Sequence, residues 1–440
     1  MAQTKLDGRA GMVIHAENGR EELGFPESMS TPFFYKAAPG DTLILKDDAY
    51  TYFIAAYAPI VEEQWLYTYS YAPDQSWTVY QPDLTGNRRQ TGKYIFSSSM
   101  YFRLCLQKVS GECFDGSEAI NDIISFERQL PDPSDTKPWL KQEVERAAQR
   151  VAALQDPDCM VFALLADSHY TVNGTWNDTA KALRLLHEKI RFNGIIHLGD
   201  LTDGMVTGVA TRHYVEIVLA DLKACGVPVW IALGNHDANY FKNNPERFSI
   251  EEQRALYLEG GELSYYVGFP KLRLIFLDSY NFDEEIRYGY SRECLRLLEE
   301  ALEELNQTDK AIIFSHLPPV ARLQYWTKTL RGEREMTDIL TRYKGKILAW
   351  INGHNHADRL DNNEEVPVVS IGNAKCEAFY EHKTEGFITP ERKLGEASQE
   401  LFDVLMVNAE KGTARFVRFG AGSDRFVANG TADWLRSGKP

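Results

Sequence analysis

Ile195-Ile196-His197-Leu198-Gly199-Asp200-Leu201-Thr202-Asp203 decides the fold of the larger part of this chain. Ile-Ile-His-Leu is a short, mostly apolar run of the kind that forms a buried strand, and it ends at once in a glycine and a carboxylate. The construction recurs. Asp167-Ser168-His169 follows the apolar run 160–166, and Gly234-Asn235-His236-Asp237 follows 228–233. Ser315-His316 follows 311–314, and Gly353-His354-Asn355-His356 follows 347–351. Further strands are expected at 272–277 and 367–371, with helices at 177–192, 213–224 and 292–305 between them, so the domain is α/β. A last pair, 401–407 and 413–418, turns through Lys411-Gly412 as an antiparallel hairpin.

Upstream the texture changes. Residues 1–130 hold short segments rich in aromatic and β-branched residues: Thr42-Leu43-Ile44-Leu45, Tyr52-Phe53-Ile54, Trp65-Leu66-Tyr67-Thr68-Tyr69 and 101–106. Turn residues separate them (Pro39-Gly40-Asp41, Pro73-Asp74, Thr85-Gly86-Asn87), the pattern of an antiparallel sandwich. Residues 130–135, with two prolines, read as a linker. Pro138 then opens a helix with apolar positions at Leu140, Val144, Ala147, Val151 and Leu154. The expected order is therefore an N-terminal β-sandwich-like accessory domain (1–130), a linker and connecting helix (131–157), and the α/β domain (158–440).

A chain of 440 residues with 44% hydrophobic residues can bury more than one core. Its formal charge of −15 counts against a surface made for nucleic-acid phosphates or anionic lipid, so neither nucleic acid nor membrane is an expected partner. No apolar signal-like stretch opens the chain and no run approaches the ~20 apolar residues of a membrane span, so a cytoplasmic location is expected. The six cysteines are scattered without CxxC spacing and read as reduced thiols, with a Cys105–Cys113 bridge left open.

Asp, Asn and His supply the oxygen and imidazole donors that hold divalent metals, and ligand sites of α/β sheets gather beyond the carboxyl ends of strands. In Asp167-x-His169 and His354-x-His356, alternate spacing puts both side chains on one side of an extended segment. A carboxylate such as Asp200 has two oxygens and can bridge two cations about 3.5–4 Å apart. Asn235 adds a neutral oxygen and His316 another nitrogen, while Gly199, Gly234 and Gly353 relieve crowding beside them. Taken singly each motif arises often by chance. Together they hold five of the ten histidines.

In order, these blocks resemble the calcineurin-like metallophosphoesterase superfamily, whose pattern is D-x-H, GD-x-x-D, GNH-D/E, H and GH-x-H, over about residues 158–425. The resemblance implies a four-layer α/β/β/α fold with two divalent metal ions (Mn, Fe, Zn, Ni or Co) at the strand ends. It implies that Asp167, His169, Asp200 and His356 hold one ion, and Asp200, Asn235, His316 and His354 the other. A bridging hydroxide would attack phosphorus, His236 would act on the leaving oxygen, and Asp203 would orient His236. Two cations lower the pKa of shared water and offset phosphoryl charge, so no protein nucleophile is needed; no Cys-x5-Arg, GxSxG or P-loop lysine motif occurs.

Departures narrow the subfamily. Purple acid phosphatases carry tyrosine at the position of Asp203. The calcineurin-type Ser/Thr phosphatases continue as GD-x-VDRG and GNHE, where this chain has Gly204 after Asp203 and Asp237 closing the third block. The wording looks more like the phosphodiesterase and small-molecule branch, and phosphodiester hydrolysis is expected over monoester hydrolysis. Two rivals stand beside it: a non-catalytic binding or scaffold protein docking a partner through the β domain, and a nuclease of the same superfamily.

The rest reads less sharply. Asp237 is either support for the site from behind or a helix N-cap. His197 reads as a packed strand residue and His213 as a surface one. Residues 376–398 are either a lid or a solvated insertion. The aromatic β domain reads first as core, with carbohydrate or protein as its alternative ligand. Substrate preference would rest in loops 204–212, 238–248 and 376–398.

Overall fold

The computed structural model describes residues 2–15, 21–57, 91–97, 100–128, 136–170, 175–205, 207–241, 244–376 and 386–435. The segments expected around Trp65–Tyr69 and 130–135 lie outside them. The chain divides into two compact units, Met1–Thr136 and Lys137–Pro440.

In the first unit the described strands are β1 (Ala2–Thr4), β2 (Arg9–Ile14), β3 (Glu21–Ser30), β4 (Tyr35–Ala37), β5 (Thr42–Leu45), β6 (Tyr50–Tyr57), β7 (Lys93–Ile95), β8 (Met100–Lys108) and β9 (Ile124–Arg128). A single helical turn, α1 (Ile120–Ile123), precedes β9. They form two antiparallel sheets. One has the order β1-β9-β5-β7; in the other β2-β3-β8-β4 is joined by β6 on β8. Leu43 and Phe126 of the first sheet meet Ile54, Phe102 and Leu104 of the second in one core. The alternation of aromatic residues is thus packing: Phe102 and Phe126 lie edge to face at 5.0 Å. Cys105 is buried, Cys113 is exposed, and neither is bridged.

The second unit opens with α2 (Pro138–Leu154), whose apolar stripe of Leu140, Val144, Ala147 and Val151 packs into that unit's own core. Two sheets follow. The first takes the order β12-β11-β10-β19-β20-β21-β22 from β10 (Met160–Leu165), β11 (Gly194–His197), β12 (Val229–Ile231), β19 (Leu401–Asn408), β20 (Thr413–Gly420), β21 (Arg425–Ala428) and β22 (Thr431–Trp434). The second takes the order β13-β14-β15-β16-β18-β17 from β13 (Tyr265–Phe269), β14 (Leu272–Leu277), β15 (Lys310–Ser315), β16 (Ile347–Asn352), β17 (Arg359–Asp361) and β18 (Val368–Ser370).

The sheets face each other through Phe162, Leu164, Ile196, Phe276, Phe314, Ile351, Leu405 and Phe416. Phe276 and Phe314, both fully buried, stack at 5.2 Å, each ring contributing roughly 1.5–3 kcal/mol of burial. On the outer face of the first sheet lie α2, α3 (Trp176–Ile190) and α4 (Gly208–Lys223). On that of the second lie α6 (Arg292–Glu303) and α7 (Glu333–Tyr343), and the short α5 (Ile250–Tyr257) follows the third motif. This is the four-layer α/β/β/α architecture. No helix among the described residues is long and apolar enough to cross a membrane.

Several elements differ from the sequence reading. Helix α4 starts at Gly208 rather than at 213, because Thr207 caps it by accepting from the Ala210 amide. Ser249 and Glu252 form a capping box that starts α5. Helix α7 shows only Met336, Ile339 and Leu340 as buried positions within a charged segment.

Candidate metal centre

The three loops that end β10, β11 and β18 run side by side as if the ladder continued past the strands. The Asp167 amide donates to Gly199 O (3.0 Å) and the His169 amide to Asp200 O (2.9 Å). On the other side Ala374 donates to Ala166 O (2.8 Å) and Lys375 to Asp167 O (3.2 Å). The chain turns so tightly here that Asp167, His169, Asp200, His354 and His356 all take positive φ, between 38° and 66°. Such strain persists only where the surroundings over-determine it. The glycines follow from the same crowding. A Cβ on Gly234 would lie 2.2 Å from Asp200 Oδ1, and one on Gly353 would lie 2.6 Å from Asp167 Oδ2.

Three groups of side chains meet here with donor atoms within 4.8 Å of one another: Asp167, His169 and His356; His169, Asp200 and His236; Asp200, His316 and His354. Asp200 belongs to two faces of the cluster through a single oxygen. Its Oδ1 accepts from the His236 amide (2.8 Å), which leaves Oδ2 facing His316 Nε2 at 3.2 Å and His169 Nε2 at 3.7 Å. Asn235 Oδ1 sits 3.1 Å from His316 Nε2. His356 Nε2 lies 3.4 Å from Asp167 Oδ1 and 3.0 Å from His169 Nε2. All seven residues that the resemblance named as ligands are therefore brought together and buried.

The donor set fits cations. Carboxylate oxygens, an amide oxygen and imidazoles suit divalent first-row metals, and several of these atoms face one another rather than a donor. His354 Nε2 is buried with no hydrogen-bond partner among the described residues. His316 Nδ1 faces Leu198 O at 2.7 Å, which turns Nε2 inward. Burial opposes charge on this ring, yet the Asp200 and Asp167 carboxylates push its pKa up to about 9. Burial likewise disfavours charge on Asp200, but the His316, His236 and His169 rings hold its carboxyl well below the ordinary range. His169 and His354 are held well below the usual imidazole value, first by burial and then by neighbouring rings.

His236 stands at the rim. Its Nδ1 faces Asp203 O at 2.6 Å, its Nε2 lies 3.9 Å from Asp200 Oδ2, and its ring stacks on Phe241 at 4.3 Å. Asp203 thus meets His236 through its main-chain carbonyl, whereas its carboxylate turns to His169 Nδ1 (3.2 Å) and Lys375 Nζ (3.1 Å). Asp237 is support from behind: its carboxylate accepts from the amides of Asp200 (2.9 Å), Leu201 (2.9 Å) and Gly234 (2.8 Å), and burial together with Asp200 raises its pKa. His197 is a packed strand residue, fully buried and 2.6 Å from Ser168 Oγ. His213 lies half-buried on α4, 3.9 Å from Glu216.

Sequence reasoning missed Lys375, whose ammonium reaches Asp203 across 172 positions, and the aromatic residues at the rim. Trp326, 41% exposed, donates from Nε1 to His354 O at 2.9 Å, and Tyr288 lies 5.6 Å from the His354 ring. The pair Tyr325-Trp326, one residue after the turn Ala321–Leu323, was the available signal.

A family model for calcineurin-like phosphoesterases matches residues 160–358. No curated protein matches. Among solved structures, the chain is similar to a dimetal phosphatase from Danio rerio (19% identity, 62% of this chain and 99% of that one, TM-score 0.48). It is also similar to GAP50, the anchor in the inner membrane complex of Plasmodium (15%, 64% and 90%, 0.38), and to the phosphopantetheinyl hydrolase of Mycobacterium tuberculosis (14%, 50% and 91%, 0.33). The matched span, residues 160–358, carries the ligand-bearing motifs from Asp167 to His356, and over that span the chain is similar to the calcineurin-like phosphoesterases.

Proposed function

We propose that this chain hydrolyses a phosphoric ester, a phosphodiester before a monoester, with two divalent cations. Asp167, His169, Asp200 and His356 would hold one, and Asp200, Asn235, His316 and His354 the other. The observation that carries the reading is Asp200 Oδ2, turned toward both histidine groups while Oδ1 is tied to a backbone amide. When bound, such a pair of ions polarises a phosphoryl oxygen and lowers the pKa of water. The chain's own part is orientation and proton supply. His236, held at Nδ1 by Asp203 O, presents Nε2 to the centre as the acid for the departing oxygen.

The rim supports a diester. Trp326 and Tyr288 flank the His354–His356 segment, and Tyr240 stacks on Tyr280 at 5.1 Å beside Tyr288. Aromatic faces suit an uncharged or ring-bearing group esterified to the phosphorus, such as a small nucleotide-like alcohol, better than the doubly charged end of a monoester.

Metal analysis of the purified protein against Asp200→Asn tests the centre. Two ions per chain in the first and loss of occupancy in the second are expected; zero or one under metal-replete conditions overturns the bridging assignment. A panel with Mn²⁺ tests the substrate: bis(nitrophenyl) phosphate, nitrophenyl phosphate, cyclic nucleotides, nucleotide sugars and a phosphopeptide. Diester turnover should lead. Phosphopeptide turnover with negligible diester activity overturns the reading, and no turnover at all favours a binding protein.

A further inference from the structure

Lys375 is 5% exposed, and its Nζ lies 3.1 Å from each oxygen of the Asp203 carboxylate. Burying an ammonium is costly unless the charge is matched and held. Here the holding is elaborate. The Lys375 amide donates to Asp167 O, and the guanidinium of Arg392, 3% exposed, donates to the carbonyls of Asn373 (2.8 Å), Ala374 (3.0 Å), Lys375 (2.5 Å) and Gln399 (3.1 Å). An arginine whose hydrogen bonds among the described residues all go to main-chain carbonyls fixes the lysine's segment against the end of β10.

The other side of the carboxylate shows what is being positioned. Asp203 Oδ1 is 3.2 Å from His169 Nδ1, off the line of a straight hydrogen bond, so the carboxylate's negative charge faces that nitrogen of a neutral ring. The opposite ring nitrogen, Nε2, faces Asp200 Oδ2 and His356 Nε2. We propose that Lys375 is a positioning residue that acts through Asp203 on His169. The ammonium fixes the carboxylate, and the carboxylate fixes which ring nitrogen of His169 carries the proton and which is offered to a metal ion. A histidine ligand whose far N–H is anchored by a carboxylate binds metal more tightly and in one orientation. Without the ammonium, the buried Asp203 carboxylate would lose a paired charge and with it a restraint on its orientation toward the ring.

This inference rests on the reading of the site as a metal centre. The test is calorimetric titration of metal-free protein with Mn²⁺, comparing wild type, Lys375→Met and Lys375→Arg. Loss of the ammonium should weaken one of two sites by about 10–100-fold and leave the other near wild type, with the arginine variant restoring most of the loss. ¹⁵N shifts of His169 should show one Nδ1–H tautomer in wild type and in Lys375→Arg, and a mixture in Lys375→Met. Equal affinities at both sites and an unchanged tautomer, with only lower thermal stability, would reduce the lysine to a structural ion pair and overturn the proposal. A wild type that binds no ions would instead overturn the metal centre itself. If Lys375→Met does not fold, isosteric Asp203→Asn is read by the same criteria.

Discussion

Arg418, Arg425, Asp358 and Asp403 place four full charges inside the second unit, each side chain at most 1% exposed, and the charges sum to zero. Arg418 reaches Asp358 at 2.8 Å and Asp403 at 2.9 Å; Arg425 meets Asp358 at 2.6 Å and also pairs with Asp403. Two residues before Asp358, His356 belongs to a cluster of the opposite kind, in which Asp167 and Asp200 face imidazoles that are mostly neutral. The first group balances its own charge, with each cation between two anions, even though Arg425 Nε has no hydrogen-bond partner among the described residues. The second has an excess of lone pairs pointing at one another. A closed network holds two sheets together, Asp358 after β16 against Asp403 and Arg418 on β19 and β20, whereas an open one calls for ions from outside. Stability should therefore report on the first and activity on the second.

The largest expected effect lies in the open cluster. His236→Asn should lower the rate on an alkyl phosphoester by ~10²–10⁴ and leave a nitrophenyl ester, which needs no acid, far less affected. Burial holds the His236 ring below the usual imidazole value of 6.5, against the raising pull of Asp200. The ring carries its second proton only below that lowered pKa, so the acid-dependent advantage should fade as pH rises through it. Stopped-flow rates on both esters from pH 4.5 to 8 measure this. Equal losses on the two would make His236 an electrostatic partner only.

Next comes the closed network. Arg418→Met strands Asp358 and Asp403 without one of their cations and should cost about 3–5 kcal/mol by denaturant unfolding, with metal stoichiometry intact. Replacing the whole quartet by apolar residues of similar volume should be near neutral, or stabilising by about 1–4 kcal/mol. A quartet replacement that abolished metal binding would show that the two clusters are one system.

The sequence displayed these two clusters unequally. Asp167-x-His169 and His354-x-His356 are legible because their partners sit two positions apart at the end of an apolar run, although the extended geometry expected for them gives way to tight turns in which all four residues take positive φ. Arg418 and Asp358 stand 60 positions apart, and Lys375 and Asp203 stand 172 apart, so no local pattern signals either pair. The fold divided the same way. Strands such as β10 and β16, buried on both faces, read as continuous apolar runs. Three-residue β17 and four-residue β21 and β22 form only because a neighbouring edge offers hydrogen bonds. Asp203 shows the limit of residue-type reasoning: its contact with His236 is made by a carbonyl that every residue possesses.

Removing the ions is the third test. A ligand at 100 times its dissociation constant stabilises by about 2.7 kcal/mol, so chelation should lower wild-type stability by roughly that amount. Arg418→Met should lose the same further increment, because its closed network does not hold the ions. Asp200→Asn should lose almost nothing, having little metal to surrender. Thermal unfolding with and without chelator reads all three.

The smallest effect separates the cluster from a histidine that merely lies beside it. His197 ends β11, one residue short of the turn that carries Asp200, and is fully buried. The Gly199 amide donates to its Nδ1 at 3.2 Å, so in the neutral ring the proton sits on Nε2 and is given to Ser168 Oγ at 2.6 Å. Burial drives the pKa of this ring down to about 3, with His316 adding to the fall and Asp200 opposing it, so the ring stays neutral through any working pH. Ser168→Ala leaves the Nε2 proton buried without an acceptor and should cost about 1–3 kcal/mol. The loss should be the same at pH 5 and pH 8, since no proton is exchanged between them on this ring, and the count of bound ions should not move. A loss that shrinks toward acid pH would mean that the ring charges when Ser168 is removed, because a folded state that takes up the proton escapes part of the acid penalty that wild type bears. A fall in the ion count would place His197 inside the donor set and erase the boundary between the packed histidine and the ligating ones.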